Sequence, residues 1–149
     1  MLHSRLGRIA TSVLLAGSVA FAFGSPASAA TPAIPGIACK RLVGTVTGNV
    51  TLKRCTGNTG GASQPMPATS LASGGTIKWV NSKTTTVKLT VTAGDNSLCA
   101  AGSSEYDAKG RTTADTTGSV IIGGRVKAKV CVDSLGNISL VPNTRATFQ

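Results

Sequence analysis

The chain has 149 residues and carries 15 lysines and arginines against five acids, so its formal net charge is +10 at pH 7. The only histidine is His3, so residues 4–149 contain no imidazole. A Ser-His-Asp or Cys-His nucleophile system, which needs one, is therefore excluded from that part of the chain. The length is that of one domain.

Residues 1–30 have the layout of a secretory signal peptide. Two arginines lead, an apolar run follows over residues 9–23, and small residues precede a cleavage site after Ala29 or Ala30. The run is shorter than the ~20 residues that span a bilayer, and we predict no membrane span in the mature form. We therefore predict a secreted, extracellular protein, with association with the cell envelope left open. Without the two leader arginines, 13 cations remain against five acids, a net charge of +8.

Residues 31–38 contain two prolines and a glycine, which predict an extended lead-in to a β domain over residues 39–149. From Leu42, apolar and polar residues alternate with the period of a half-buried strand. Gly48 interrupts this pattern and predicts a bulge or a tight hairpin. The residues assigned to the apolar face are Leu42, Val46, Val50 and Leu52.

Residues 56–75 are rich in Gly, Ser, Pro and Thr without any period, and they predict a long loop. The next segment, TIKWVNSKTTTVKLTVT, predicts a hairpin whose turn is NSKT. Within it, Ile77 and Trp79 alternate with Lys78. A weaker strand is predicted around Tyr106, at an edge of the sheet.

The stretch RVKAKVCVD, which begins at Arg125, alternates cations with small apolar residues and predicts a strand. The residues expected to face the core are Val126, Ala128, Val130 and Val132. Cys131 then lies on the charged, outward face. A disulfide at that position requires either that its partner segment crosses the outer surface of the sheet or that a bulge shifts the register.

No window of the sequence shows the i, i+3, i+4, i+7 spacing of an amphipathic helix, and both threonine and glycine are abundant. Several short strands separated by Gly-rich turns indicate a mostly β fold. We predict a single antiparallel β-sandwich or small barrel of about seven to nine strands.

Four cysteines follow the leader, namely Cys39, Cys55, Cys99 and Cys131. An even number in a secreted chain predicts two disulfides, for which three pairings are possible. We favour Cys39–Cys55 and Cys99–Cys131, because each pair brackets one contiguous block. No C-x-x-C spacing and no histidine is available for zinc, so we predict no metal and no cofactor.

The chain carries no recognisable catalytic motif, such as G-x-S-x-G, a phosphate loop or a dinucleotide fingerprint. Glu105 and Asp107 would share one face of a strand, about 7 Å apart. Because Lys109 and Arg111 favour their ionised form, we interpret them as surface carboxylates rather than as a catalytic pair. We predict that the protein is not an enzyme and has no catalytic residues.

The positive charge predicts an anionic partner, such as a cell-wall polymer or an acidic glycan. The candidate anion-binding residues are Arg125, Lys127, Lys129, Lys78 and Lys88. Nucleic acid is disfavoured, because single-strand binders need aromatic stacking platforms and this chain has few aromatic residues. The alternative is that the cations serve solubility and protect strand edges from pairing.

Trp79 suggests a second candidate function. A hydrophobic cleft near Trp79 would make the protein a carrier of a small hydrophobic ligand, with the indole ring as a ligand contact. The alternative is that the ring packs in the core or against an edge of the sheet. No pattern in the sequence specifies an oligomeric state.

Four segments, CKRLVGTVTGNVTLKRC, GGTIKW, LCAAGSSEY and VCVDSLGNISLVPNTRATF, resemble small secreted β-rich proteins of actinomycetes. The resemblance covers most of residues 39–148 and rests on the placement of the cysteines and on these short patterns. It implies secretion and a disulfide-bonded β fold. It supplies no catalytic residues, since that group has no assigned activity.

Overall fold

The structure, a computed structural model, describes residues 34–149. The predicted signal peptide and the first three residues of the predicted lead-in lie outside the described residues. The elements in chain order are β1 (Ile37–Thr45), β2 (Asn49–Cys55), β3 (Met66–Pro67), α1 (Thr69–Ala72), β4 (Gly74–Lys78), β5 (Thr84–Ala93), β6 (Ser104–Asp115), β7 (Arg125–Val132), β8 (Asn137–Leu140) and β9 (Ala146–Phe148). Within residues 34–149, no helix is long and apolar enough to cross a membrane.

All nine strands belong to one antiparallel sheet, which confirms the predicted fold class and strand number. Along the sheet the order is β3-β2-β1-β8-β7-β6-β5-β4. The short strand β9 lies off this path, because it pairs with the start of β1 on one side and with β7 on the other. β1 therefore has two successive neighbours, β9 at its beginning and β8 at its end.

The two ends of the sheet are joined by the segment that follows β2. Ala62 forms a bridge with Lys53 of β2, and Ser63 forms a bridge with Trp79 at the end of β4. The Ser63 hydroxyl also accepts a hydrogen bond of 2.9 Å from the backbone N–H of Leu52. These bridges close the sheet on itself, so its inward side chains surround a single interior.

Both hairpins predicted from the alternation are present. Gly48 lies in a tight turn between β1 and β2, where its N–H donates to the Thr45 carbonyl at 3.2 Å. The turn between β4 and β5 is closed by a hydrogen bond of 2.8 Å from the Trp79 N–H to the Lys83 carbonyl. The assignment of Val46 to a strand is wrong, because the chain reverses there and Val46 is 44% exposed.

The strand around Tyr106 is central, and its prediction as an edge strand is wrong. β6 is the longest strand, with 12 residues, and it pairs with β5 and β7 on its two sides. Its inward-facing positions are Tyr106, Ala108, Gly110 and Thr112. Because most of these side chains are small or polar, the sequence of β6 lacks the hydrophobic signal expected of a strand with two neighbours.

Residues 56–75 do not form one featureless loop. They include β3, which pairs with β2 through Met66 and Val50, and the one-turn helix α1. Thr59 and Ser63 are buried, so this segment packs onto the sheet. No period is visible in the sequence because each of these elements is only two to four residues long.

The alternation predicted for RVKAKVCVD is present in β7. Val126 is buried, whereas Arg125 and Lys127 are exposed. Below this strand, Trp79 and Phe148 form the aromatic part of the core, with ring centroids 6.0 Å apart and planes nearly perpendicular. Edge-to-face contact is a favoured arrangement for such rings.

Both predicted disulfides are confirmed. Cys39–Cys55 links direct cross-strand partners of β1 and β2. Cys99–Cys131 links the connection between β5 and β6 to β7. Because Cys131 keeps the outward register of β7, the connection crosses the outer surface of the sheet, the first of the two arrangements expected for this cysteine.

Candidate ligand cavity and cation face

The interior of the sheet contains an apolar cavity of about 260 Å³. It is lined by α1, by the turn after β1 and by every strand except β3. The inward residues of β7, Val126, Ala128, Val130 and Val132, form one wall. The four residues of β7 that the sequence predicts to face the core are therefore the residues that face the cavity.

The cavity exists because three neighbouring strands present alanine to the interior. Ala108 of β6 and Ala128 of β7 are direct cross-strand partners, and Ala146 lies on β9, which also pairs with β7. All three line the cavity. A methyl group at these positions leaves open the volume that a leucine or phenylalanine would fill, and protein interiors rarely leave such a void.

The cavity reaches the surface at the end of the sheet where α1 lies. Val46, Thr69 and Ala72 line the cavity and are also exposed. The opposite end is closed by Phe148, which lines the cavity and packs against Trp79. A ligand would therefore enter beside the turn at Val46 and the helix α1.

Trp79 does not contact the cavity, so its assignment as a ligand contact is wrong. It is 0% exposed and is absent from the lining. Its Nε1–H donates to the Thr85 hydroxyl at 2.8 Å, and that hydroxyl donates to Asp115 at 2.6 Å. The indole is a hydrogen-bonded core residue, as the alternative interpretation has it.

Four cations form a continuous face on the outside of β5, β6 and β7. In the register of the sheet, Lys88 is the partner of Arg111, and Arg111 is the partner of Arg125. Lys127 follows two residues after Arg125, opposite Lys109. Cross-strand partners have Cβ atoms about 5 Å apart. We call Lys88, Arg111, Arg125 and Lys127 the cation face; Arg111 is the member that the sequence did not suggest.

The cation face has no acidic partner within residues 34–149. The salt bridges of this region are made by Lys109 and Lys129. The Arg111 Nη1 instead donates to the Gly123 carbonyl at 2.8 Å, which fixes the guanidinium at the surface. The cations of this face are therefore free to contact an external anion.

Lys129 does not belong to the cation face, which corrects its assignment to the anion-binding set. Its Nζ lies 2.7 Å from Glu105 Oε1 and 3.4 Å from Asp107 Oδ1. The hydrogen bond to Glu105 is the main cause that raises the pKa of Lys129. The pKa of Asp107 is lowered, chiefly by its hydrogen bond to Lys109. A lysine held by two carboxylates is not available to a further anion.

Lys78 also lies apart from the cation face. It is exposed on β4 opposite Thr84, whereas the β4 partner of Lys88 is Gly74. Four residues along a strand correspond to about 13 Å. The structure therefore brings together three of the five predicted anion-binding residues, Lys88, Arg125 and Lys127, and adds Arg111 to them.

The connection between β5 and β6, residues 94–103, forms a strap over the outer face of the sheet. The strap covers Glu105, whose side chain is 0% exposed. The Glu105 N–H donates to the Asn96 side-chain oxygen, and the Leu98 N–H donates to Glu105 Oε2 at 3.4 Å. The interpretation of Glu105 as a surface carboxylate is wrong, because the strap and the Cys99–Cys131 disulfide enclose it.

No protein-family model, curated protein or solved structure matches this chain. The resemblance to secreted actinomycete proteins therefore stays a prediction. Within the described part of the chain, no group of three or more His, Cys, Asp and Glu residues is placed to hold a metal ion.

Proposed function

We propose that this chain is a secreted, non-enzymatic protein that binds a small apolar molecule inside its sheet. The observation that carries the proposal is the apolar cavity of about 260 Å³ that opens beside α1. Ligand sites in proteins are mostly apolar concavities with a few polar groups. An apolar cavity of ~150 Å³ accepts benzene, so by proportion this one accepts a molecule of roughly ten carbon atoms.

The composition of the lining supports binding without chemistry. The polar residues among those that line the cavity are Thr69, Tyr106 and Lys127. The lining contains no carboxylate, imidazole or thiol, which are the commonest acid–base and nucleophilic groups of enzymes, and Lys127 belongs to the outward cation face. Secretion is supported by the signal-peptide pattern of residues 1–30 and by two disulfides, which persist in oxidising compartments.

Naphthalene, with ten carbons, tests the proposal. We expect naphthalene to raise the melting temperature of the protein, because a ligand that binds only the folded state stabilises it. Ala108→Phe, which fills the cavity from β6, is expected to abolish this increase. The measurement is thermal unfolding followed by circular dichroism, with calorimetric titration for the affinity.

The matched control is Ala114→Phe, which adds the same ring to an exposed position of the same strand. It is expected to leave naphthalene binding unchanged. Ala108→Leu fills less of the cavity and serves if the phenylalanine variant is overpacked. Equal binding by the wild-type protein and a folded Ala108 variant would show that the cavity is not the site.

A second candidate function is the binding of an anionic polymer by the cation face. Like charges on directly opposite strand residues are destabilising, and Lys88, Arg111 and Arg125 occupy three adjacent positions of this kind. A polyanion would relieve that repulsion. The row of three unpaired cations is the observation that favours this function over general solubility.

Heparin binding in low and high salt tests the second function. We expect the triple variant Lys88→Gln, Arg111→Gln, Arg125→Gln to lose about tenfold in affinity at low salt, because adjacent contacts are removed together. The control triple, Lys53→Gln, Arg54→Gln, Lys78→Gln, removes the same charge elsewhere and is expected to lose about twofold or less. Equal losses of heparin affinity in the two variants would mean that binding depends on the net charge of the protein and not on the cation face.

A further inference from the structure

The sheet has a gap between β1 and β8, and this gap lies beside the cavity. The two strands pair only at Gly44–Ile138 and Thr45–Asn137. Towards its beginning, β1 pairs instead with β9, over Ile37–Cys39. Residues 40–43 therefore have no partner on this side, and a cleft of about 340 Å³ lies there. We call this cleft the window.

The window and the cavity share part of their walls. Leu42 and Ile138 line both spaces, so the apolar interior and the window meet at these two side chains. The register that would place Leu42 opposite Leu140 is not continued beyond Gly44. The backbone groups of this part of β1 that face β8 are therefore free to bond to water or to a ligand.

The rim of the window is cationic. Lys40 and Arg41 line it and are exposed. Neither makes a salt bridge within residues 34–149. The nearest acid along β7 and β8, Asp133, is already bonded to the N–H groups of Leu135 and Asn137 and does not line the window. An anion at the window would therefore meet two uncompensated cations.

We propose that the ligand of the cavity is an anionic amphiphile, namely an alkyl or aryl carboxylate of about ten carbons. Its apolar part lies in the cavity, and its carboxylate lies in the window against Lys40 and Arg41. This inference rests on the proposed function, because it assigns the chemical class of the molecule that the cavity holds. It assigns no role to the cation face on β5, β6 and β7, which is a different part of the surface.

Decanoate and 1-decanol, which share a ten-carbon chain and differ in charge, test this inference on the full-length protein. We expect decanoate to bind about tenfold more tightly than 1-decanol, since the alcohol can fill the cavity but gains little from the two cations. The double variant Lys40→Gln, Arg41→Gln is expected to remove this difference and to leave 1-decanol binding unchanged. The measurement is calorimetric titration at low salt.

The control is Lys88→Gln, Arg111→Gln, which removes the same charge from the cation face, on strands β5 and β6 that do not line the window. It is expected to retain the preference for decanoate. Equal affinities of the two ligands for the wild-type protein, or equal effects of the two double variants, would overturn the inference while 1-decanol binding still supports the cavity. If neither ligand binds and naphthalene does not bind either, the proposed function itself fails.

Discussion

Replacing Cys99 and Cys131 together with alanine is expected to lower the free energy of unfolding by about 4 kcal/mol. The disulfide spans 32 residues, and its main effect is to restrict the unfolded chain. A loss of this size is a large fraction of the ~5–15 kcal/mol that stabilises a typical domain. Urea denaturation of the wild-type and variant proteins measures it.

The second disulfide provides the comparison. Cys39–Cys55 spans 16 residues, so its replacement by alanines is expected to cost about 3 kcal/mol. Only the first variant also releases the strap, and amide exchange at Glu105, whose N–H donates to Asn96, should accelerate in that variant alone. Protection of Glu105 that survives the loss of Cys99–Cys131 would mean that the hydrogen bonds, not the disulfide, hold the strap.

The parts of the fold that the sequence predicts are those whose signals are local. The β1–β2 hairpin, with its turn at Gly48, and the β4–β5 hairpin, with its turn after Trp79, each combine a two-residue period with turn-forming residues. The disulfides follow from contiguity, because each joins cysteines that bracket one block of strands. In each case neighbours in the sequence are also neighbours in the sheet.

The misplacement of β6 and the failure to predict the cavity have the same physical origin. β6 lacks a hydrophobic signal because positions such as Ala108 and Gly110 face the interior. The same small residues, opposite Ala128 on β7, leave the volume that becomes the cavity. A hydrophobic pattern in the sequence identifies the large side chains that fill a core. It does not show the empty volume that remains where small side chains face the interior.

The cation face could be predicted only in part, because it depends on pairing between strands. Lys127 and Arg125 share one strand, so their common face follows from the period of two. The neighbourhood of Lys88, Arg111 and Arg125 follows from the register across three strands, which a single sequence does not specify. For the same reason a single sequence does not specify the pairing of Lys129 with Glu105, which lies two residues along β6 from Asp107, the cross-strand partner of Lys129.

Lys129→Met is expected to be among the most destabilising single substitutions on the outer face of the sheet. It would leave the enclosed Glu105 carboxylate with one hydrogen bond, of 3.4 Å, from the Leu98 N–H. An enclosed carboxylate without its partner is costly, whereas two apolar side chains of similar volume at a buried ion pair are often neutral or stabilising. The double variant Glu105→Met, Lys129→Met is therefore expected to recover most of the stability lost in Lys129→Met.

The two partners of this ion pair should differ in sensitivity, because they differ in exposure. The Lys129 side chain is 40% exposed and retains Asp107 at 3.4 Å when Glu105 is replaced. We therefore expect Glu105→Met to lower the melting temperature less than Lys129→Met does. Lys109, which is exposed and forms a surface ion pair with Asp107, provides the comparison, and we expect Lys109→Met to change the melting temperature little. Thermal unfolding of the four variants measures this order. An unchanged melting temperature in Lys129→Met would contradict this expectation, because it would mean that the enclosed Glu105 carboxyl group does not depend on Lys129.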